Sequence, residues 1–294
     1  MLRNLKLVLA SALAINLLAH APVQAQTDTL SENESWSSFL PLLGDAARER
    51  GYELPLPFGL GFHVMHIWQD YEIKSLDLVI QGPMEIPLEG LQVSSAEGTA
   101  YSMDGRLDCW ILPWLNVYGV LGYTSGQSKS QATVPASTLA ALGLPLGYDL
   151  SFPFPLEYDG ATYGGGATLA YGYKHLFGSI DYNYTETDLD IADSAIHAHV
   201  LTPRVGWFGE LGSAYVGAMY QDVAQEFRGS LKFSIPGPFP LPPIPVDYAV
   251  DQKAVDPWNI IVGANLRLGR HVEFIIEGGF LGREQILTSL TYRF

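Results

Sequence analysis

Apolar and polar residues alternate along much of this chain. In the last ten residues, Ile286, Leu290, Tyr292 and Phe294 fall on one face of an extended segment, and mostly polar residues fall on the other. Alternation of this kind predicts β-strands with one apolar face. Ten segments are predicted as strands, and many of them show this alternation: about 58–69, 99–112, 114–128, 160–173, 176–188, 195–208, 213–227, 258–268, 271–281 and 285–294.

The connections between these segments alternate in kind. Tight links occur at Leu112-Pro113, Lys174-His175, 209–212 and Gly269-Arg270, and between them lie the other links at about 70–98, 129–159, 189–194, 228–257 and 282–284. If every strand crosses a membrane, all tight turns fall on one side, which is the layout of an outer-membrane barrel. A soluble β-sandwich does not need this regularity. The predicted fold is all-β, a transmembrane antiparallel β-barrel of about ten strands. Eight or twelve strands stay open, because 72–80 or a loop hairpin would change the number.

The N-terminus has the features of a secretory signal peptide. A basic head is followed by an apolar run at 7–19, and Val23-Gln24-Ala25 has the small residues of a cleavage site. We therefore expect a signal peptide over 1–25 and a periplasmic segment over 26–57, with a short helix around 43–50. The barrel is expected to span 58–294.

The composition bears on two questions: whether the protein binds nucleic acid and whether it forms a disulfide. The net charge is −15, and removal of a signal peptide containing Arg3 and Lys6 leaves about −17. This acidic balance argues against nucleic acid as a partner, since phosphate binding requires clusters of Lys and Arg, so we expect none. The single cysteine, Cys109, excludes an intramolecular disulfide.

The ending Leu-Thr-Tyr-Arg-Phe resembles the C-terminal signature of Gram-negative outer-membrane β-barrel proteins. The resemblance is to a class, covers about 58–294 and carries no function. It implies a bacterial outer-membrane location, contact with outer-membrane lipid and lipopolysaccharide, and recognition by the barrel-assembly machinery. Phe294, Tyr292 and Leu290 would form that assembly signal.

The alternation also predicts which side chains line the lumen. They carry charge of both signs and are Asp104, Arg106, Asp108, Asp181, His197, His199, Arg267, Glu273, Glu277 and Arg293. A ten-stranded barrel is only slightly wider than one that side chains fill. The lumen is therefore either plugged by ion pairs or a narrow polar conduit or binding site. His197 and His199 have a spacing that suits a metal, but the spacing alone does not assign one, and we expect no metal, cofactor or catalytic residue.

Three long connections are apolar and rich in proline: 82–93, 142–158 and 234–248. Exposed apolar loops of this size require a cover. They either pack as a lid, with Phe152, Phe154 and Phe239 in a small core, or bind a hydrophobic ligand or partner.

The leading expectation for function is a non-enzymatic one. It is a narrow channel or binding barrel for a small solute, whether hydrophobic or not, capped by the proline-rich loops. The alternatives are a plugged structural or adhesive barrel that presents its loops, and an outer-membrane hydrolase of lipid or peptide. The oligomeric state is not assigned by the sequence.

Overall fold

The computed structural model describes residues 39–49, 54–82, 85–88, 90–143, 147–191, 194–233 and 244–294. All of them except Phe39 belong to one compact unit, Leu40–Phe294. Two short helices occur there, α1 at Gly44–Arg48, within the segment expected to be helical, and α2 at Ala136–Ala141. No helix in these ranges is long and apolar enough to cross a lipid bilayer. The predicted signal peptide and Phe239 lie outside the described residues.

Thirteen strands, all paired antiparallel, make up the rest of the regular structure in the described ranges. They are β1 Phe58–Ile80, β2 Ile86–Pro87, β3 Gln92–Val93, β4 Ala96–Leu112, β5 Leu115–Val134, β6 Leu150–Tyr173, β7 Leu176–Leu189, β8 Ala195–Gly209, β9 Gly212–Phe233, β10 Ile244–Ala254, β11 Trp258–Leu268, β12 Val272–Phe280 and β13 Glu284–Arg293.

Ten of these strands form a closed ring, which confirms the predicted barrel. The hydrogen-bonded order is β1, β4, β5, β6, β7, β8, β9, β11, β12 and β13, and β13 pairs back onto β1. The ring closes where the chain ends: the Phe58 amide donates to the Phe294 carbonyl at 3.1 Å, and the Phe294 amide donates to the Phe58 carbonyl at 3.0 Å. Closure leaves this part of the sheet without an open edge, as a bilayer requires.

The outer face of the ring is apolar. On β13, Leu290, Tyr292 and Phe294 are exposed, whereas Thr291 and Arg293 between them are buried. The same pattern recurs around the ring, with exposed Leu60, Phe62, Leu121, Leu169, Val205, Val216 and Val262. So large an apolar belt is unfavourable in water and favourable against lipid. The protein is a transmembrane β-barrel.

Four strands extend well beyond this belt. β1, β5, β6 and β9 are 20 to 24 residues long, about twice the 9–11 residues that a tilted strand needs to cross a bilayer. β10 pairs with the far ends of both β1 and β9, and so takes the place of β11, β12 and β13 there. A β-bulge between Ile73 and Ser75 lies in the β1–β10 pairing.

The expectation that 70–98, 129–159 and 228–257 are loops is therefore wrong in part. These stretches contain the far ends of β1, β5, β6 and β9, all of β2, β3 and β10, and helix α2. Proline-rich sequence does not prevent strand formation here, because Pro153 and Pro155 pair with β5 on one side only, where β6 is an edge strand. We call the part of the barrel built from these far ends the external head.

Candidate functional site

The interior near the tight turns is filled by an ion-paired cluster. Arg293 Nη1 lies 3.1 Å from Asp108 Oδ1, and Arg293 Nε lies 3.0 Å from Glu273 Oε2. Asn116 Nδ2 donates to the same Asp108 oxygen at 2.7 Å, and Asn116 Oδ1 accepts from Arg106 Nη2 at 3.1 Å. Since Asp108 is only 3 % exposed, these contacts supply the compensation that a buried carboxylate requires.

Asp181 is held by hydrogen bonds, and no described residue forms an ion pair with it. Its carboxylate accepts from the Tyr118 hydroxyl at 2.9 and 3.0 Å and from the Thr168 hydroxyl at 2.5 Å. The Arg106 guanidinium lies 3.5 Å from the centre of the Tyr118 ring. This cation–π contact links Asp181 to the cluster around Asp108.

A second ion pair joins β8 to β12, the strand that also carries Glu273. Arg204 donates from Nε and Nη2 to Glu277 Oε2 at 3.2 and 3.0 Å, and the Tyr215 hydroxyl donates to the same oxygen at 3.0 Å. Glu277 is 1 % exposed.

Above the charged region lies a layer of amide and tyrosine side chains. Ser128 donates to Gln252 at 3.2 Å, Gln252 donates to Gln225 at 2.5 Å, and Gln225 donates to the Tyr71 hydroxyl at 3.2 Å. Gln69 also donates to that hydroxyl, at 2.5 Å. We call these five residues the glutamine–tyrosine layer. It joins β1, β5, β9 and β10 across the interior.

The interior of the external head is apolar. Its buried side chains come from seven strands and are Leu78, Ala132, Phe154, Leu156, Tyr158, Leu189, Ile196, Val223, Phe227, Val246 and Val250. Tyr248 packs edge-to-face on Phe154 with ring centres 5.6 Å apart, and burial raises the pKa of its hydroxyl. Phe154 was predicted to join such a core, and Phe152 packs against it.

A recess of about 470 Å³ reaches this apolar core from outside. It is lined by Leu76, Asp77, Leu78, Val79, Pro87, Leu88, Gly90 and Leu91. Leu78 belongs to the core itself, and Leu76, Leu88 and Leu91 pack against it. Six of its eight lining residues are apolar, and its volume lies within the range of small-molecule sites.

The structure places eight of the ten predicted lumen residues on the inner face. Asp104 lies directly opposite His63 of β1 and accepts from Ser102 at 2.8 Å. Arg267 lies at the rim near the tight turns and donates to the Gly209 carbonyl at 2.8 Å. Asp104 and Arg267 are not joined to the cluster around Asp108 by any ion pair among the described residues. The other six are the charged residues of the contacts above.

The prediction that His197 and His199 line the lumen is wrong. Their neighbours Ile196 and Ala198 face the apolar core, so both imidazoles lie on the outer face. There His197 Nδ1 is 3.1 Å from the Tyr184 hydroxyl, and His199 Nδ1 is 2.9 Å from the Tyr182 hydroxyl. No group of three His, Cys, Asp or Glu side chains in the described part of the chain is arranged to hold a metal ion.

Sequence reasoning missed several interior residues. Arg204 was missed because the prediction assigned the two faces of β8 the wrong way round. Val205 and Trp207 are exposed on the outer face, so Arg204 belongs to the inner face. Gln225 and Gln252 lay beyond or at the edge of the predicted strands. The residues of the glutamine–tyrosine layer are uncharged, and the alternation of apolar and polar positions does not distinguish them from amides on the surface.

Comparison with known proteins gives structural matches only. No family model and no curated protein matches the chain. The outer membrane protein OprG of Pseudomonas aeruginosa matches with 13 % identity over 82 % of this chain and 98 % of its own, at a TM-score of 0.39. The translocator domain of the autotransporter NalP of Neisseria meningitidis matches with 12 % identity over 85 % and 92 %, at 0.34. The Pseudomonas putida toluene transporter TodX matches with 10 % identity over 84 % and 92 %, at 0.31.

Proposed function

We propose that this barrel binds a small hydrophobic solute in its external head and releases it into the polar lumen when the interior opens. The observation that carries the proposal is the recess of about 470 Å³ that leads from solvent to the apolar core. Apolar solutes gain free energy by leaving water for such a lining, about 25 cal/mol for each Å² of apolar surface removed from water.

Passage requires a conformational change. The glutamine–tyrosine layer crosses the interior, and Tyr71, Gln225 and Gln252 are almost fully buried. A solute in the head therefore meets hydrogen-bonded side chains before it reaches the charged lumen. The resting protein is expected to be silent in a planar bilayer, and solute-dependent opening would be a separate event.

A second candidate is a structural or adhesive barrel that presents its external head to a partner. The filled interior favours it, since a structural barrel needs no free path. The two candidates differ in one respect: only the first requires saturable binding of a small apolar molecule.

Binding of a neutral naphthalene-type fluorophore to the purified full-length protein in detergent tests the proposal. Leu88→Gln places an amide in the recess and is expected to weaken binding at least tenfold. Val255→Gln, at an exposed apolar position outside the recess, is the matched control and is expected to leave binding unchanged. Absence of saturable binding by protein whose folding is verified by heat-modifiable gel mobility would refute the proposal and favour the structural barrel.

A further inference from the structure

Arg283 occupies an unusual position in the interior. It lies in the turn between β12 and β13, and its side chain is 3 % exposed. Its amide donates to Asn259 Oδ1 at 3.4 Å, and its Nε donates to Gln285 Oε1 at 3.1 Å. The turn before it contains Leu281 with a φ of 95°, a left-handed conformation that is costly for a non-glycine residue.

Two nitrogen atoms of the Arg283 guanidinium have no hydrogen-bond acceptor among the described residues. Nη1 and Nη2 are both closed off from solvent and have no hydrogen-bond partner, and no carboxylate lies within ion-pair distance among the described residues. The contrast is with Arg293, which is also buried but contacts both Asp108 and Glu273. A buried cation without a counter-charge is costly, so this position is suited to an anion that the protein itself does not supply.

The surroundings of Arg283 indicate what kind of anion fits. Glu284, the next residue, pairs with Trp68 of β1, which places Arg283 beside the stretch of β1 that carries Tyr71 of the glutamine–tyrosine layer. Gln225 of that layer and Phe227 of the apolar core are both buried, two residues apart on β9, so the layer adjoins the core. Tyr158 packs on Phe227 with ring centres 5.2 Å apart, inside the apolar core of the external head. The unpaired cation therefore lies beside a layer that adjoins the apolar core, and a ligand that satisfies both the cation and the core has a charged group joined to an apolar body.

We propose that Arg283 binds the carboxylate of a small organic acid whose apolar body lies in the external head. The two Nη–H donors of one guanidinium match the two oxygens of a carboxylate. Because both Nη atoms are enclosed, the acid reaches them only when side chains of the glutamine–tyrosine layer move. This inference rests on the proposed function and names the class of solute.

Calorimetric titration of the full-length protein with benzoate and with neutral benzyl alcohol tests the inference. Wild-type protein is expected to bind benzoate at least tenfold more tightly than the alcohol. Arg283→Gln is expected to remove that preference and leave alcohol binding unchanged, while Arg283→Lys retains part of it. Arg228→Gln is the control, since Arg228 is exposed and pairs with Glu226.

The outcomes separate the two proposals. If the alcohol binds and benzoate binds no more tightly, or if Arg283→Gln leaves the preference intact, the role of Arg283 is overturned and the proposed function stands. If neither ligand binds folded protein, both are overturned. If Arg283→Gln does not fold, the relative affinity of the wild-type protein for benzoate and benzyl alcohol still tests the inference.

Discussion

Arg293 of the last strand lies 3.1 Å from Asp108 of β4, and the contact passes over Gly59 of β1, the strand between them. The ring of strands closes between β13 and β1. The ion pair therefore spans the closing seam and joins the two strands on either side of β1. Its formation requires that β13 has already paired, so it stabilises the closed barrel and not its open precursor.

Glycine at position 59 makes this contact possible. A Cβ at Gly59 would lie 2.5 Å from Asp108 Oδ2 and 3.1 Å from Arg293 Nη1. Gly59→Ala is expected to destabilise the barrel by about 1–3 kcal/mol, the usual cost of overpacking. Urea unfolding followed by heat-modifiable mobility measures it. Gly278→Ala is the control, because a Cβ there meets nothing within 4 Å, and equal losses in both variants would contradict the steric account.

Loss of the Asp108 charge tests the cluster itself. Asp108→Asn leaves Arg106 and Arg293 facing a neutral side chain in a buried position, which is expected to cost about 3–5 kcal/mol. Glu226→Gln removes one partner of the exposed Arg228–Glu226 pair and is expected to cost less than about 1 kcal/mol. Equilibrium unfolding in urea compares the two. A cost for Asp108→Asn as small as that of the surface variant would show that the cluster does not stabilise the fold.

The sequence predicted the membrane part of the barrel well. β11 was predicted at 258–268 and is found at Trp258–Leu268, because within the bilayer apolar residues face out and polar residues face in. The external head reverses this relation. There Ile196, Phe227 and Val250 face an interior core, and the outer face meets water.

This reversal explains the main errors. A polar inner face along the whole of β8 predicts that His197 lies in the lumen, although that end of the strand belongs to the head. The sequence did not predict strand β10. Its apolar residues face an interior core, as in a soluble protein, and it follows a run of prolines that is typical of a loop. Contacts made by uncharged residues, such as Gln225 with Tyr71, depend on which strands face each other across the interior, and local patterns carry no information on that.

The hydroxyl of Tyr71 holds the glutamine–tyrosine layer together. It accepts from Gln69 at 2.5 Å and from Gln225 at 3.2 Å. Tyr71→Phe leaves two buried amide groups short of an acceptor and is expected to cost about 1–3 kcal/mol. Tyr123→Phe, which removes an exposed hydroxyl hydrogen-bonded to Asp159, is the control for loss of a tyrosine hydroxyl. Urea unfolding should separate the two variants, and equal stability would argue against a cooperative layer.

Truncation of Phe227 tests the link between core packing and solute binding. Its side chain is fully buried in the core of the external head, and Phe227→Ala is expected to cost about 3–5 kcal/mol. The cavity left in an apolar core should also increase the capacity for the neutral fluorophore. Leu121→Ala, at an exposed position on the lipid face, controls for loss of an apolar side chain. Unchanged fluorophore binding in Phe227→Ala would indicate that the solute does not enter the core.

The position of the bilayer on the barrel can be tested with two single lysine substitutions at different heights on the outer face. Leu290 is exposed within the apolar belt, so Leu290→Lys is expected to cost about 2–4 kcal/mol, the penalty near the midplane. His199 is exposed on the outer face, opposite Asp222 on the neighbouring strand, and His199→Lys is expected to cost about 0–1 kcal/mol, as at an interface. Unfolding of both variants from lipid vesicles measures the difference. A large penalty at His199 would place that residue within hydrocarbon and would shift the whole external head toward the membrane.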